Sequence, residues 1–198
     1  MAWRKASGTS FVTTLPASPV DGQEVYYQST TAGTGGGASN SMADAGAVWH
    51  LRYRAASSSA YKWEFVGGGA VSAIQTAGLT TVTATTYATD AGAPVITLGL
   101  AGDYDATFSV QMTDNQTTAY QTLMTAATSV PSNAVGDALG SAYRQETSAS
   151  VNVLVPMSRT IRLTGLAASA SLATYQRVSG GTGRWFNRSL MAVPIRVG

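Results

Sequence analysis

The sequence predicts an all-β protein, and three observations carry the prediction. From Asp103 to Met112 every even position is apolar and every odd one polar, the two-residue period of a strand with one buried face. Met191, Val193, Ile195 and Val197 repeat at the same spacing, so the chain runs within a sheet almost to its last residue. Between them, segments rich in Val, Thr and Tyr recur at short intervals, and helical readings fail on period.

Composition points to a solid body with little chemistry. A chain of 198 residues is long enough for one or two domains and buries most of its unfolded surface. Charged residues make up 11%, against roughly 25% in an average soluble domain. The resulting neutral, hydroxyl-rich surface suits an assembly whose neighbouring subunits cover area that a lone protein would protect with charge. An alanine- and threonine-rich proteome would give the same composition. The net charge of +2 comes without a run of Lys or Arg, so the footprint of a nucleic-acid binder is missing. Without cysteine there is no disulfide framework, thiol nucleophile or Cys-ligated zinc. No apolar run has the length of a signal-peptide core or a membrane span, so the expectation is a protein without membrane contact that leaves its cell by lysis.

The first region covers residues 1–68. Glu24-Val25-Tyr26-Tyr27-Gln28 reads as a strand entered through the turn Pro19-Val20-Asp21-Gly22. The glycine-studded stretch that follows has no apolar period and reads as a loop; it lacks the Gly-Lys-Thr ending and flanking strand and helix of a phosphate loop. Val48 to Arg54 and Tyr61 to Val66 then form a hairpin around the loop AASSSA. Trp49, Leu51 and Tyr53 share one face and are expected to meet Tyr61, Trp63 and Phe65 across it, while His50, Arg52, Arg54, Lys62 and Glu64 line the wet face.

Residues 69–78 read as a linker, begun by three glycines, whose AVSAIQTAG piece is a helical turn or extended chain. The second region, residues 79–198, supplies strands at Leu79–Ala88, Ala93–Leu98, Asp103–Met112, Ala149–Met157, Thr160–Leu166, Leu172–Val178 and Ser189–Val197. Residues 118–128 and 137–145 are strand or short helix, and 179–183 form the last long turn. About eight short strands in this span is the count for a jelly roll or similar sandwich. Pro194 cannot donate a ladder hydrogen bond, so its strand lies at an edge or turns that position away from a partner.

Here the residues carry a resemblance. GDYDATFSVQMT, SRTIRLTGLAASASL and WFNRSLMAVPIRVG resemble the C-terminal jelly-roll domains of structural proteins from tailed bacteriophages, similar in layout to the C1q and tumour-necrosis-factor group. FVTTLPASPVDGQEVYYQ with VWHLRYRAASSSAYKWEFVGG resembles a small β module of phage tail and capsid-attached proteins. The resemblance implies a small antiparallel module on the particle, a projecting jelly roll and a homotrimer with no cofactor. It implies a virion protein without enzymatic activity, in the tail or baseplate or, alternatively, decorating the capsid; its partners would be other virion proteins.

A host-receptor or carbohydrate-binding role is the competing class. Arg184, Trp185 and Asn187, beside the last turn, combine an aromatic ring, an amide and a cation suited to a glycan; the alternative is that Trp185 and Phe186 anchor the entry to the last strand. Tyr87, Tyr104, Phe108, Tyr175 and Trp185 are candidates for core or for a three-fold axis. The catalytic reading is thin. His50 is the sole histidine, which rules out a multi-histidine zinc site, and it lies on a polar face without a nucleophile motif. Asp103 and Asp105 read more simply as a solvated strand face than as the carboxylate pair of a glycosidase. Asn115 and Asn187 begin sequons, which arise readily by chance.

Overall fold

The computed structural model describes residues 10–28, 48–75, 80–90, 92–113, 121–132, 142–145 and 155–198. The glycine-rich loop after Gln28, the sequon at Asn115 and residues 149–154 of the strand expected over Ala149–Met157 fall outside these. Among the described residues there are thirteen strands and no helix: β1 (Ser10–Val12), β2 (Glu24–Gln28), β3 (Val48–Tyr53), β4 (Trp63–Gly68), β5 (Val71–Gln75), β6 (Thr80–Val82), β7 (Val95–Thr97), β8 (Gly102–Thr113), β9 (Gln121–Ala127), β10 (Ala142–Gln145), β11 (Val155–Leu166), β12 (Ser171–Val178) and β13 (Gly183–Val197).

The last eight strands form a jelly roll. One sheet runs β6-β13-β8-β11 and the other β7-β12-β9-β10, every neighbour antiparallel. This is the strand order produced when a long hairpin rolls up into two facing sheets. The alternating residues of β8 explain its place at the centre: Tyr104, Ala106, Phe108, Val110 and Met112 are buried between the sheets. Leu172 and Val178 face them from β12, and Trp185, Leu190 and Ala192 extend the same core on β13. Each large side chain so buried contributes about 1.5–3 kcal/mol.

The stretch read as Leu79–Ala88 is divided between the two sheets. β6 pairs with β13, and the chain then crosses over, Ala84 accepting a hydrogen bond from Val178 N and Ala88 exchanging two with Gln176. Residues 121–127 and 142–145 are strands. The expected break between two strands at 157–160 does not occur, because β11 runs through it opposite β8. β13 begins at Gly183 rather than Ser189, so the aromatic pair Trp185-Phe186 already lies in the sheet.

The first region is not set apart from the second. β1-β2-β3-β4 continue the β13 sheet into nine strands, Glu64 and Trp63 pairing with Arg196 and Val197. Val25, Tyr27, Trp49, Leu51 and Trp63 belong to the same buried cluster as Tyr104 and Leu98. The stretch read as a linker holds β5, which pairs with β13 across Ala192 to Arg188. Pro194 sits in the interval between these pairings, where β13 has β5 up to Ala192 and β4 from Arg196 onward. A proline is thereby tolerated in a central strand.

Candidate functional site

The inner face of the β2-β3-β4 hairpins is core. Leu51 stands opposite Phe65 and Tyr53 opposite Trp63, with the Tyr53 and Trp63 rings 5.3 Å apart at 62° and Trp49 edge-on to Phe65 at 6.4 Å. A bulge leaves Val66 unpaired and sets Trp49 across from Gly68, and Trp49 Nε1 donates to Gly69 O at 2.8 Å. Tyr61 departs from the expected cluster. It precedes β4 and its hydroxyl reaches the Leu166 carbonyl at the end of β11.

The outer face of the same sheet is organised in rows across the strands. Phe11, Tyr26, His50 and Gly67 stand in register on β1 to β4. Phe11 and Tyr26 stack with centroids 5.4 Å apart, Tyr26 and His50 at 4.9 Å, both within about 26° of parallel. The next row alternates in sign: Glu24, Arg52, Glu64, Arg196 and Asp103 follow one another over five strands. Glu24 accepts from Arg52 Nε at 2.8 Å and is 2.9 Å from His50 Nε2, and these two partners hold its carboxyl below the usual range. Opposite charges on facing strands each add modest stability, and like charges there would subtract it.

Beyond the charged row the face turns neutral. Val193, Asp105 and Arg162 form one row, Asp105 held by Arg162 Nε at 2.5 Å. Ser72, Met191, Thr107 and Thr160 form the next, and Ile74, Ser189, Ser109 and Ser158 the last. The hydroxyls bond to each other, Thr107 to Thr160 at 2.7 Å and Ser109 to Ser189 at 2.6 Å. Met191 and Ile74 remain exposed beside them. A shallow groove of about 270 Å³ opens at this end between Ser109, Gln111, Pro156, Ser158 and Asn187.

The residues expected at a recognition tip separate. Trp185 is fully buried, so it anchors β13 and is unavailable to a ligand, and Tyr87, Tyr104, Phe108 and Tyr175 are buried as well. Asn187 is exposed in a left-handed conformation, φ 43°, and its amide donates to Gln111 Oε1 at 2.7 Å. Arg184 flanks Trp185 on the opposite face of the strand. Asp103 and Asp105 are both engaged structurally: Asp103 accepts from Gly165 N and from Ser59 Oγ, each at 3.0 Å, and Asp105 is the partner of Arg162.

Sequence reading passed over two features. Phe11 and Tyr26 had the signal of being out of phase with their buried neighbours, as His50 is with Trp49 and Leu51. Arg188 had no such signal. It is fully buried on β13 and donates to Gln75 Oε1 (2.6 Å), Gln176 Oε1 (2.8 Å) and both oxygens of Asp90 (2.6 and 2.9 Å). Burial pushes the Asp90 carboxyl up, but Arg188, Gln176 and the Gly92 N–H outweigh it and hold the group below its ordinary value. Among the described residues no cluster of His, Asp and Glu could hold a metal ion, and no helix is long and apolar enough to cross a membrane.

No protein-family model matches this chain, and neither does any curated protein. Among solved structures the chain is similar to one titled "Structure of Eiger TNF from S. frugiperda", at 12% identity and a TM-score of 0.44, over 65% of this chain and 94% of that one. The jelly-roll assignment rests on the strand order and register given above.

Proposed function

We propose that this chain is a non-enzymatic structural subunit that self-associates as a homotrimer on the exterior of a tailed-phage particle. The observation that carries self-association is the outer face of β13, β8 and β11. Three long strands present two rows of paired hydroxyls, exposed Met191 and one neutralised ion pair, and β5 adds exposed Ile74 beside them. Such a face is nearly free of net charge and cheap to desolvate, because its hydroxyls already bond to one another. The overall charged fraction of 11% agrees with a surface that neighbours cover. The particle assignment is supported by the sequence resemblance of both regions to tailed-phage structural proteins, and the tail is favoured by the likeness of the first region to modules of tail proteins.

Sedimentation of the purified chain at micromolar concentration should give three times the mass of 20.4 kDa. Met191→Asp should shift it to monomer with an unchanged circular dichroism spectrum, since the side chain leaves the core untouched. A wild-type monomer would overturn the trimer. Copy number in purified particles, read by quantitative mass spectrometry, separates the placements: a few copies assign the tail, hundreds the capsid, and none removes the protein from the virion.

A further inference from the structure

We infer that the outer aromatic row of β1 to β4 is a saccharide-binding site, in which a sugar ring takes the open fourth position above Gly67, against the face of His50 turned from Tyr26. The inference goes beyond the assembly role and does not depend on it, since the row lies across the charged row from the neutral face. Three rings stand in register and in contact, Phe11, Tyr26 and His50, and the fourth rung is a glycine. The fold does not demand glycine there. Gly67 has no positive φ, and a Cβ built on it would meet nothing within 4 Å among the described residues. Its neighbour Gly68 is the opposite case, at φ 135° with a Cβ that would run into the Val48 carbonyl. What Gly67 supplies is therefore space beside an aromatic face.

The rim selects the ligand. On one side of the slot stand Arg52 and Glu64, with side chains 44% and 33% exposed, in the row that also holds Glu24. On the other side are Gln28 and Val48. A pyranose presents a C–H face that stacks on a ring and an edge of hydroxyls that bond to guanidinium, carboxylate and amide groups, which is the combination offered here. The rim charges are paired within the sheet, Arg52 with Glu24 and Glu64 with Arg54, yet stay part-exposed. A partner protein's aromatic side chain would therefore stack equally well but strip water from them without supplying the hydrogen bonds of a sugar's hydroxyl edge, at a desolvation cost.

His50 is the sole histidine in the chain, so its imidazole proton signals report on the slot in the intact protein. The full chain is titrated with the methyl glycosides of glucose, galactose, rhamnose and N-acetylglucosamine at millimolar concentration, with N-acetyltryptophanamide in parallel. A saturable shift of the His50 signals is expected with at least one glycoside. Gly67→Val should weaken that response at least about tenfold while leaving the melting temperature near that of the parent; Arg52→Gln, which keeps the slot open, should weaken it also. Silence toward every glycoside, an undiminished response in a folded Gly67→Val protein, or a response to N-acetyltryptophanamide alone would each overturn the assignment.

Discussion

Arg188 faces inward because β13 slips its register against β8 between Phe186 and Ser189. The extra residue breaks the alternation, so that Trp185 and Arg188, three apart, both face the core while Asn187 takes the left-handed conformation that asparagine tolerates better than most residues. A buried guanidinium is costly unless fully partnered, and here Asp90, Gln75 and Gln176 converge on it from three separate segments. Gly92 leaves room for the Gln75 amide there, which a side chain at that position would push aside. Arg188→Ala should destabilise the protein by about 3–5 kcal/mol, the range for breaking a buried pair; Asp90 is 27% exposed, which favours the lower end. Chemical denaturation measures this directly. Because the Asp90 carboxyl is held below its ordinary value, its contribution is present above that value and fades as pH falls through the depressed one. The melting temperature of the parent should therefore fall on acidification below about pH 4, and Arg188→Ala should fall less steeply over the same interval.

At the level of elements, adjacent glycines in β4 make a controlled comparison. Gly68→Ala forces a side chain into a positive φ and against the β3 backbone, and should cost about 1–3 kcal/mol. Gly67→Ala should stay within about 0.5 kcal/mol of the parent, as expected for a surface position without a special role in the fold. Equal losses at both positions, measured by urea unfolding, would contradict the geometry of the hairpin. The strands were legible where one face alone is buried: β8, β3 and the last part of β13 follow strict alternation. β5 was not, because a five-residue strand carries too few periods, and β6 was legible only as part of a longer strand. β12 was legible from its run of strand-forming residues without alternation, since it is buried on both faces, with Tyr175 and Ala173 covered by Tyr87. The same limit hid the continuation of β13 to Gly183, whose bulge interrupts the alternation that would have announced it.

For the whole molecule, the continuous nine-stranded sheet replaces the picture of an attachment module joined to a free-standing jelly roll. Removal of residues 1–68 would strip β4 from the end of β13 and uncover the flank of the core that holds Tyr104, whose phenol burial already pushes far above its ordinary value. Its hydroxyl donates to Leu100 O at 2.7 Å in that interior. The expected outcome for a chain of residues 69–198 is aggregation, or a melting temperature lower by roughly 10 °C or more. A soluble fragment with the parent's sedimentation and melting behaviour would show that the two regions are separable after all.

Alternation determined by itself that this is an all-β protein, composition that it is poor in charge and free of disulfides, and the strand count indicated the rolled sandwich. These are properties of neighbouring residues, set by the two-residue period of the pleat. The pairing of β4 with β13, the burial of Arg188 and Trp185, and the row that sets Phe11, Tyr26 and His50 over an open glycine join residues from distant parts of the chain. Register between such segments depends on turns, bulges and shared core contacts, so only the tertiary structure could decide them.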